Sequence, residues 1–229
     1  MKYKWILFDA DGTLFDYDSA ESHALKETLN QFGAQITDDT LKRYRKINKT
    51  LFTKLEQGRI SFAELRIKRF ELLLPGIGVN LHIEKFSNQY LNNLSKYSML
   101  LLGAYDTICT LHPHCKMLII TNGIADVQRS RFNRSAIKPF ISDIVISDEI
   151  GVAKPAKEIF HFAFEKMGRP GKEQVILVGD SLTADIAGGI NFGFDTCWYN
   201  PKRIKNSHDL EVTYEIAELK KLVDIVFST

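Results

Sequence analysis

The chain has 229 residues, 45% hydrophobic and 25% charged, with a formal net charge of +2. This is ordinary globular composition, so wholesale disorder is excluded, and the charge is too mild to imply a nucleic-acid partner. No apolar run approaches the roughly 18 residues of a membrane span, and the Lys2–Phe8 stretch is too short for a signal peptide. Three cysteines, Cys109, Cys115 and Cys197, form no CxxC pair. They argue against a disulfide framework or a structural zinc site and fit a reducing cytoplasm, where the glycosylation triplets at Asn48, Asn93 and Asn133 mean nothing.

In chain order, Trp5-Ile6-Leu7-Phe8 reads as a buried strand that stops at the turn Asp9-Ala10-Asp11-Gly12-Thr13. From about residue 18 to residue 97 the pattern is helical. Leu41 to Leu55 forms one helix, Ser61-Phe62-Ala63-Glu64 opens another as a capping box, Pro75-Gly76 and Gly78 interrupt, and Ile83 to Leu94 resumes. Beyond residue 98, strands and helices alternate. Met117–Ile120 ends at Thr121-Asn122-Gly123, and a helix follows toward Ile137. Ile144–Ile146 ends at Ser147-Asp148, and Pro155 leads into a helix carrying Ile159, Phe160, Ala163, Phe164 and Met167. Val175–Val178 ends at Gly179-Asp180, with a helix through Asp185 toward Ile190, and Thr196–Tyr199 is a further strand. Continuous apolar strands between helices predict an α/β fold: a Rossmann-like parallel sheet with helices on both faces. The expected core is residues 1–16 and 98–229, interrupted after the first strand by an all-helical cap at 17–97.

Ligands of open α/β sheets bind beyond the carboxyl ends of the strands, and each polar cluster falls there. Three or four carboxylates (Asp9, Asp11, Asp180, Asp185) converging on one point need a cation, and oxygen ligands without His or Cys favour Mg²⁺. A hydroxyl at Thr121, N–H groups around Asn122 at a helix start, and the cation of Lys154 suit a phosphate dianion. Asp9 can attack phosphorus, and Asp11 can protonate the leaving oxygen. The chemistry implied is metal-assisted phosphoryl transfer.

These four clusters, in this order, resemble the haloacid dehalogenase superfamily of phosphatases. That resemblance implies Asp9 as nucleophile and Mg²⁺ ligand, and Asp11 as acid/base with its backbone carbonyl on the metal. It implies Thr121 and Lys154 as holders of the phosphoryl group, Asp180 as a metal ligand and Asp185 as a residue acting around it. The spacing itself leaves open which of Asp180 and Asp185 touches the metal. Lys4–Asp11, Ile47-Asn48-Lys49, Val145–Pro155, Gly188–Asn191 and Cys197–Asn200 further resemble the YjjG-type pyrimidine 5′-nucleotidases. By that likeness the substrate is a nucleoside 5′-monophosphate, Asn48 and Lys49 contribute to binding it, and Mn²⁺ or Co²⁺ could replace Mg²⁺. The expected protein is a monomer or small homo-oligomer with no membrane or nucleic-acid partner.

Other residues read more plainly. Arg66, Lys68 and Arg69 are expected on a solvated helix face, and the histidines show no metal spacing. Phe160, Phe162 and Phe164 are expected in the core, while Phe15 and Tyr17 are placed to touch a substrate. Hinges are expected near Phe15–Tyr17 and at 97–103. A sugar phosphomutase, or a phosphatase of another small metabolite such as a sugar phosphate or phosphoglycolate, is the competing enzyme. A catalytically dead binding relative would be expected to lack Asp9 or Asp11, and both are present.

Overall fold

The computed structural model describes residues 1–77 and 82–228; Gly78, expected to break the helical run, lies outside them. Six strands, all paired in parallel, form one sheet: β1 (Trp5–Phe8), β2 (Lys116–Thr121), β3 (Asp143–Ile146), β4 (Val175–Gly179), β5 (Asp195–Tyr199) and β6 (Tyr214–Ile216). Their spatial order is β3-β2-β1-β4-β5-β6. The fold is the expected α/β arrangement.

Every residue of β1 is buried because both faces of the sheet are covered. Ile6, Phe8, Met117, Ile119, Ile176 and Val178 point to one side and pack with α5 (Ala104–Leu111) and α10 (Lys221–Ser228). The alternate residues Trp5, Leu7, Leu118, Ile120 and Leu177 pack on the other side against α8 (Lys157–Lys166) and α9 (Ala187–Phe192). Each such side chain contributes about 1.5–3 kcal/mol on burial. On α8, Phe160 joins this layer, but Phe162 points outward and is half-exposed, so the expectation of three core phenylalanines fails there. Neighbours on a helix face in different directions.

Between β1 and Met99 the described residues contain helices and no strand. They are α1 (Tyr17–Gln31), α2 (Asp38–Glu56), α3 (Phe62–Leu73) and α4 (Ile83–Leu94). Local chemistry starts each of the first three. Asp16 accepts from Ser19 N, Thr37 from Thr40 N, and Ser61 and Glu64 form the reciprocal capping box. Leu25, Leu29, Tyr44, Phe70, Phe86 and Tyr90 give these helices their own core. Ile124 and Val127, at the start of α6 (Ala125–Arg134), are buried in it too. The outgoing and returning chain segments touch through an antiparallel bridge between Phe15 and Leu100.

Candidate active site

Strand register brings the polar groups to one level. Phe8 pairs with Ile119 on β2 and with Val178 on β4, so Asp9, Thr121 and Gly179-Asp180 emerge side by side. Two glycines permit their close approach. Gly12 has φ +87°, and a Cβ there would lie 2.6 Å from an Asp180 oxygen; a Cβ on Gly179 would meet Asp185 at 2.4 Å.

Lys154 is the hub. Its Nζ donates to Asp9 Oδ1 at 2.6 Å, Asp185 Oδ1 at 2.7 Å and the Ile120 carbonyl at 2.9 Å, with all three side chains buried. Burial works against the ammonium, but Asp185 and Asp9 outweigh it and hold Lys154 above the ordinary lysine range. Asn122 clasps the Lys154 backbone from both sides, donating to its carbonyl and accepting from its N–H. Asp9 is pushed well up by burial, opposed by Lys154 and reinforced by Asp185 and Asp180. Asp180 is ringed by protein on its inner side yet open to solvent; desolvation and then Asp185 raise it to about 7.

One carboxylate oxygen from each of Asp9, Asp180 and Asp185 lies within 4.8 Å of the others. Asp9 Oδ2 is buried without a partner, whereas both Asp185 oxygens are used, one by Lys154 and one by Ser181 N. Hard oxygen donors, an orphaned carboxylate oxygen and mutual repulsion fit a divalent cation such as Mg²⁺. The Asp11 side chain stands apart from this trio. Its oxygens accept from Gln128 Nε2 and Arg131 Nη1, both at 2.5 Å.

Several expectations need correction. Thr121 does not open a helix: α6 begins at Ala125 without a side-chain cap, and the Thr121 hydroxyl accepts from Gly123 N at 3.2 Å at the strand end. Asp185 lies in a π-helical turn, Leu182–Ile186, rather than a regular helix; the wider turn aims its carboxylate back at Ser181 N. Phe15 is fully buried beneath the Arg131 guanidinium, which denies it the substrate contact expected of it. Arg69 is also fully buried, stacked on Phe70 and Tyr90, with Nε and Nη2 unpartnered.

A cavity of about 390 Å³ lies between the helical segment and the strand ends, lined by Asp9, Asp11, Thr121, Asn122, Lys154, Asp180 and Asp185 below. Tyr17, Glu21, Arg45, Asn48, Lys49 and Glu56 line it above. Asn48 is buried, donates to Tyr17 Oη at 3.2 Å and Glu21 Oε1 at 3.0 Å, and leaves its own Oδ1 unpartnered; Lys49 is exposed. Burial pushes Glu21 up to about 7, against the pull of Arg45 and Asn48. Glu21, Arg45 and Glu56 were not legible as site residues. Charged positions on amphipathic helices ordinarily face water, and only the packing turns these inward.

Residues 3–193 match the haloacid dehalogenase-like hydrolase family. The chain is 35% identical to the HAD-hydrolase YfnB of Bacillus subtilis (strain 168), covering 98% of this chain and 96% of that one. It is 33% identical to the pyrimidine 5′-nucleotidase YjjG of Escherichia coli (strain K12), over 99% of both chains. A crystal structure of YfnB, bound to magnesium and described as revealing interdomain movement, superposes with a TM-score of 0.92 over 99% of each chain at 35% identity. The chain belongs to the haloacid dehalogenase-like hydrolases. It is a hydrolase of that family, with relatives named as pyrimidine 5′-nucleotidases. Among the described residues no helix is long and apolar enough to cross a membrane.

Proposed function

We propose that the chain is a Mg²⁺-dependent phosphomonoesterase acting on nucleoside 5′-monophosphates, pyrimidine ones first. The observation that carries the phosphatase reading is the Asp9–Lys154–Asp185 cluster, beside Thr121, at the floor of a cavity of about 390 Å³. The pyrimidine reading draws support from the names of the relatives YjjG and PynA. Asp9 and Asp180 would hold the cation, with Asp185 beside them committed to Lys154 and Ser181 N. When bound, the cation would neutralise negative charge on the carboxylates and the phosphoryl oxygens.

The Asp9 carboxylate attacks phosphorus; an O–P bond forms to Asp9 as the bond to the 5′-oxygen breaks. Asp11 gives its proton to that departing oxygen. Thr121 and Lys154 hold the phosphoryl oxygens through the transfer. Asp11 then takes a proton from the attacking water, and the aspartyl–phosphate bond breaks to release inorganic phosphate. The helical segment at 17–97 acts as a cap that excludes bulk water and presents Asn48 and Lys49 to the leaving nucleoside.

Phosphate release from a panel of phosphorylated metabolites with Mg²⁺ tests this. Uridine and thymidine 5′-monophosphates should rank above hexose phosphates and phosphoglycolate, and Asp9→Asn should lose at least about a thousandfold on every substrate. A panel led by sugar phosphates overturns the nucleotidase reading alone. Activity retained in Asp9→Asn overturns the covalent mechanism.

A further inference from the structure

Arg131 has no place in the chemistry described so far, and it does not line the catalytic cavity. Yet its side chain is fully buried, where an unpaired guanidinium costs several kcal/mol. Two of its three nitrogens have partners, and Nη2 is buried without one. Nη1 donates to Asp11 Oδ1 at 2.5 Å, Nε donates to the Tyr97 carbonyl at 2.8 Å, and the guanidinium lies 5.0 Å from the centre of the Phe15 ring. One turn earlier, Gln128 Nε2 donates to Asp11 Oδ2 at 2.5 Å. The three-residue spacing puts both donors on one face of α6, so one rigid element grips both oxygens of Asp11.

The same helix is joined to both segments that link the helical insertion to the sheet. Ser130 Oγ donates to the Ser95 carbonyl at 3.1 Å, beside the Arg131–Tyr97 bond on the returning segment. On the outgoing segment, Asp11 is bridged to Phe15, and Phe15 to Leu100. Ile124 and Val127 anchor the start of α6 inside the core of the helical insertion. A displacement of that insertion therefore moves the Tyr97 carbonyl, and with it the guanidinium that holds Asp11.

We propose that Arg131, assisted by Gln128, is a positioning residue that sets the direction of the Asp11 carboxylate and ties it to the seating of the cap. This rests on the reading of Asp11 as the proton donor to the leaving oxygen. A planar fork is required. Lysine keeps the charge but cannot reach the Asp11 oxygen and the Tyr97 carbonyl together in this geometry.

A misdirected Asp11 slows departure of a leaving group that needs a proton. Hydrolysis of the aspartyl–phosphate, where Asp11 takes a proton from water, is common to every ester, so the first step is the one that discriminates. Single-turnover kinetics of leaving-group release, with enzyme in excess, should compare uridine 5′-monophosphate, or the best alkyl phosphate of the panel, with p-nitrophenyl phosphate, whose leaving group departs unaided. Arg131→Lys should lower the rate of leaving-group release about 10–100-fold on the alkyl ester and less than about threefold on the aryl ester, with substrate affinity nearly unchanged. Gln128→Met introduces no buried charge and guards against a misfolded Arg131 variant; it should shift the ratio the same way by a smaller factor. Asp11→Asn is the control. If Asp11→Asn is selective and the Arg131 and Gln128 variants slow both esters equally, or neither, the positioning role is overturned. If Asp11→Asn itself is unselective, the acid role fails and the inference falls with it.

Discussion

Asp180 and Asp185 occupy one turn of chain but have different surroundings, and those surroundings decide what each can do. Asp185 gives one oxygen to Lys154 and the other to Ser181 N, so it is already committed to the protein. No ion pair among the described residues uses Asp180. Asp180→Ala should therefore raise the Mg²⁺ concentration needed for half-maximal activity at least about tenfold, while the melting temperature in EDTA stays near wild type. Asp185→Ala leaves a buried Lys154 with Asp9 as its one carboxylate partner and should lower the melting temperature in EDTA instead. Metal titrations and thermal melts of the two variants would refute the assignment if their effects were exchanged. Glu21 offers a separate test through pH. Its folded value of about 7 lies above its ordinary 4.5, so the folded state holds the proton more tightly. Its contribution is therefore favourable below pH 4.5 and is lost as pH rises toward 7. Glu21→Gln should gain stability over wild type as pH rises through that window, by about 3 kcal/mol at pH 8. A stability difference independent of pH, in denaturant melts from pH 4 to 8, would contradict it. The residues that read most directly from the sequence were those at strand ends, because a buried strand tells where its last side chain must point. Arg69 and Arg131 are illegible: each sits on a helix that carries other charged residues, and only the packing of distant segments shows that its charge is enclosed.

At the scale of elements, legibility followed the strength of the local pattern. Ile83 to Leu94 was expected as a helix and is one, and Ser61 with Glu64 forms the expected capping box. Both signals are local, and no tertiary contact competes with them. β6 is not legible because an edge strand of three residues, Tyr214-Glu215-Ile216, has too little alternation to stand out. The helix after Thr121 was placed too early because its cap carries no side-chain signal; Ile124 precedes it. The start of α1 matters more for function. Asp16 accepts from both Ser19 N at 3.0 Å and Ser19 Oγ at 2.6 Å, and its own N–H donates to the Met99 carbonyl on the returning segment. This one residue caps the helix and pins the two connecting segments together. Asp16→Ala should cost about 1 kcal/mol of stability, the ordinary value of a lost N-cap. It should also raise amide exchange in the first turn of α1 and at Met99–Leu101 above that of the sheet. Faster exchange spread evenly over the chain would mean that the bond has no special role in the connection.

For the molecule as a whole, the α/β core was legible because its strands are continuous apolar runs. The way the helical insertion sits on that core was not, since its contacts join residues far apart in sequence. One polar contact is made by Asp148, which in the sequence reads only as the end of a strand. Its Oδ2 accepts from Arg66 Nη2 of α3 at 2.8 Å and from Ala125 N of α6 at 3.0 Å. A single carboxylate thus supplies the missing cap of α6 and draws the insertion down onto it. Arg66 was expected to be solvated; its side chain is 30% exposed and that of Asp148 15%, so water screens the pair only in part. Asp148→Asn keeps an oxygen for Ala125 N and removes the charge that Arg66 meets. If this ion pair holds the insertion over the cavity, its loss shifts the balance toward an open arrangement by about 1 kcal/mol, which corresponds to about fivefold in population. A substrate held by both halves should then show KM raised about three- to fivefold, with kcat at saturation little changed. Small-angle scattering should report a larger radius of gyration for the variant, and added salt should move the wild type in the same direction. An unchanged KM together with an unchanged radius would show that the other contacts, the packing of Ile124 and Val127 and the α6 bonds to the Ser95 and Tyr97 carbonyls, seat the insertion, with the ion pair contributing nothing to closure.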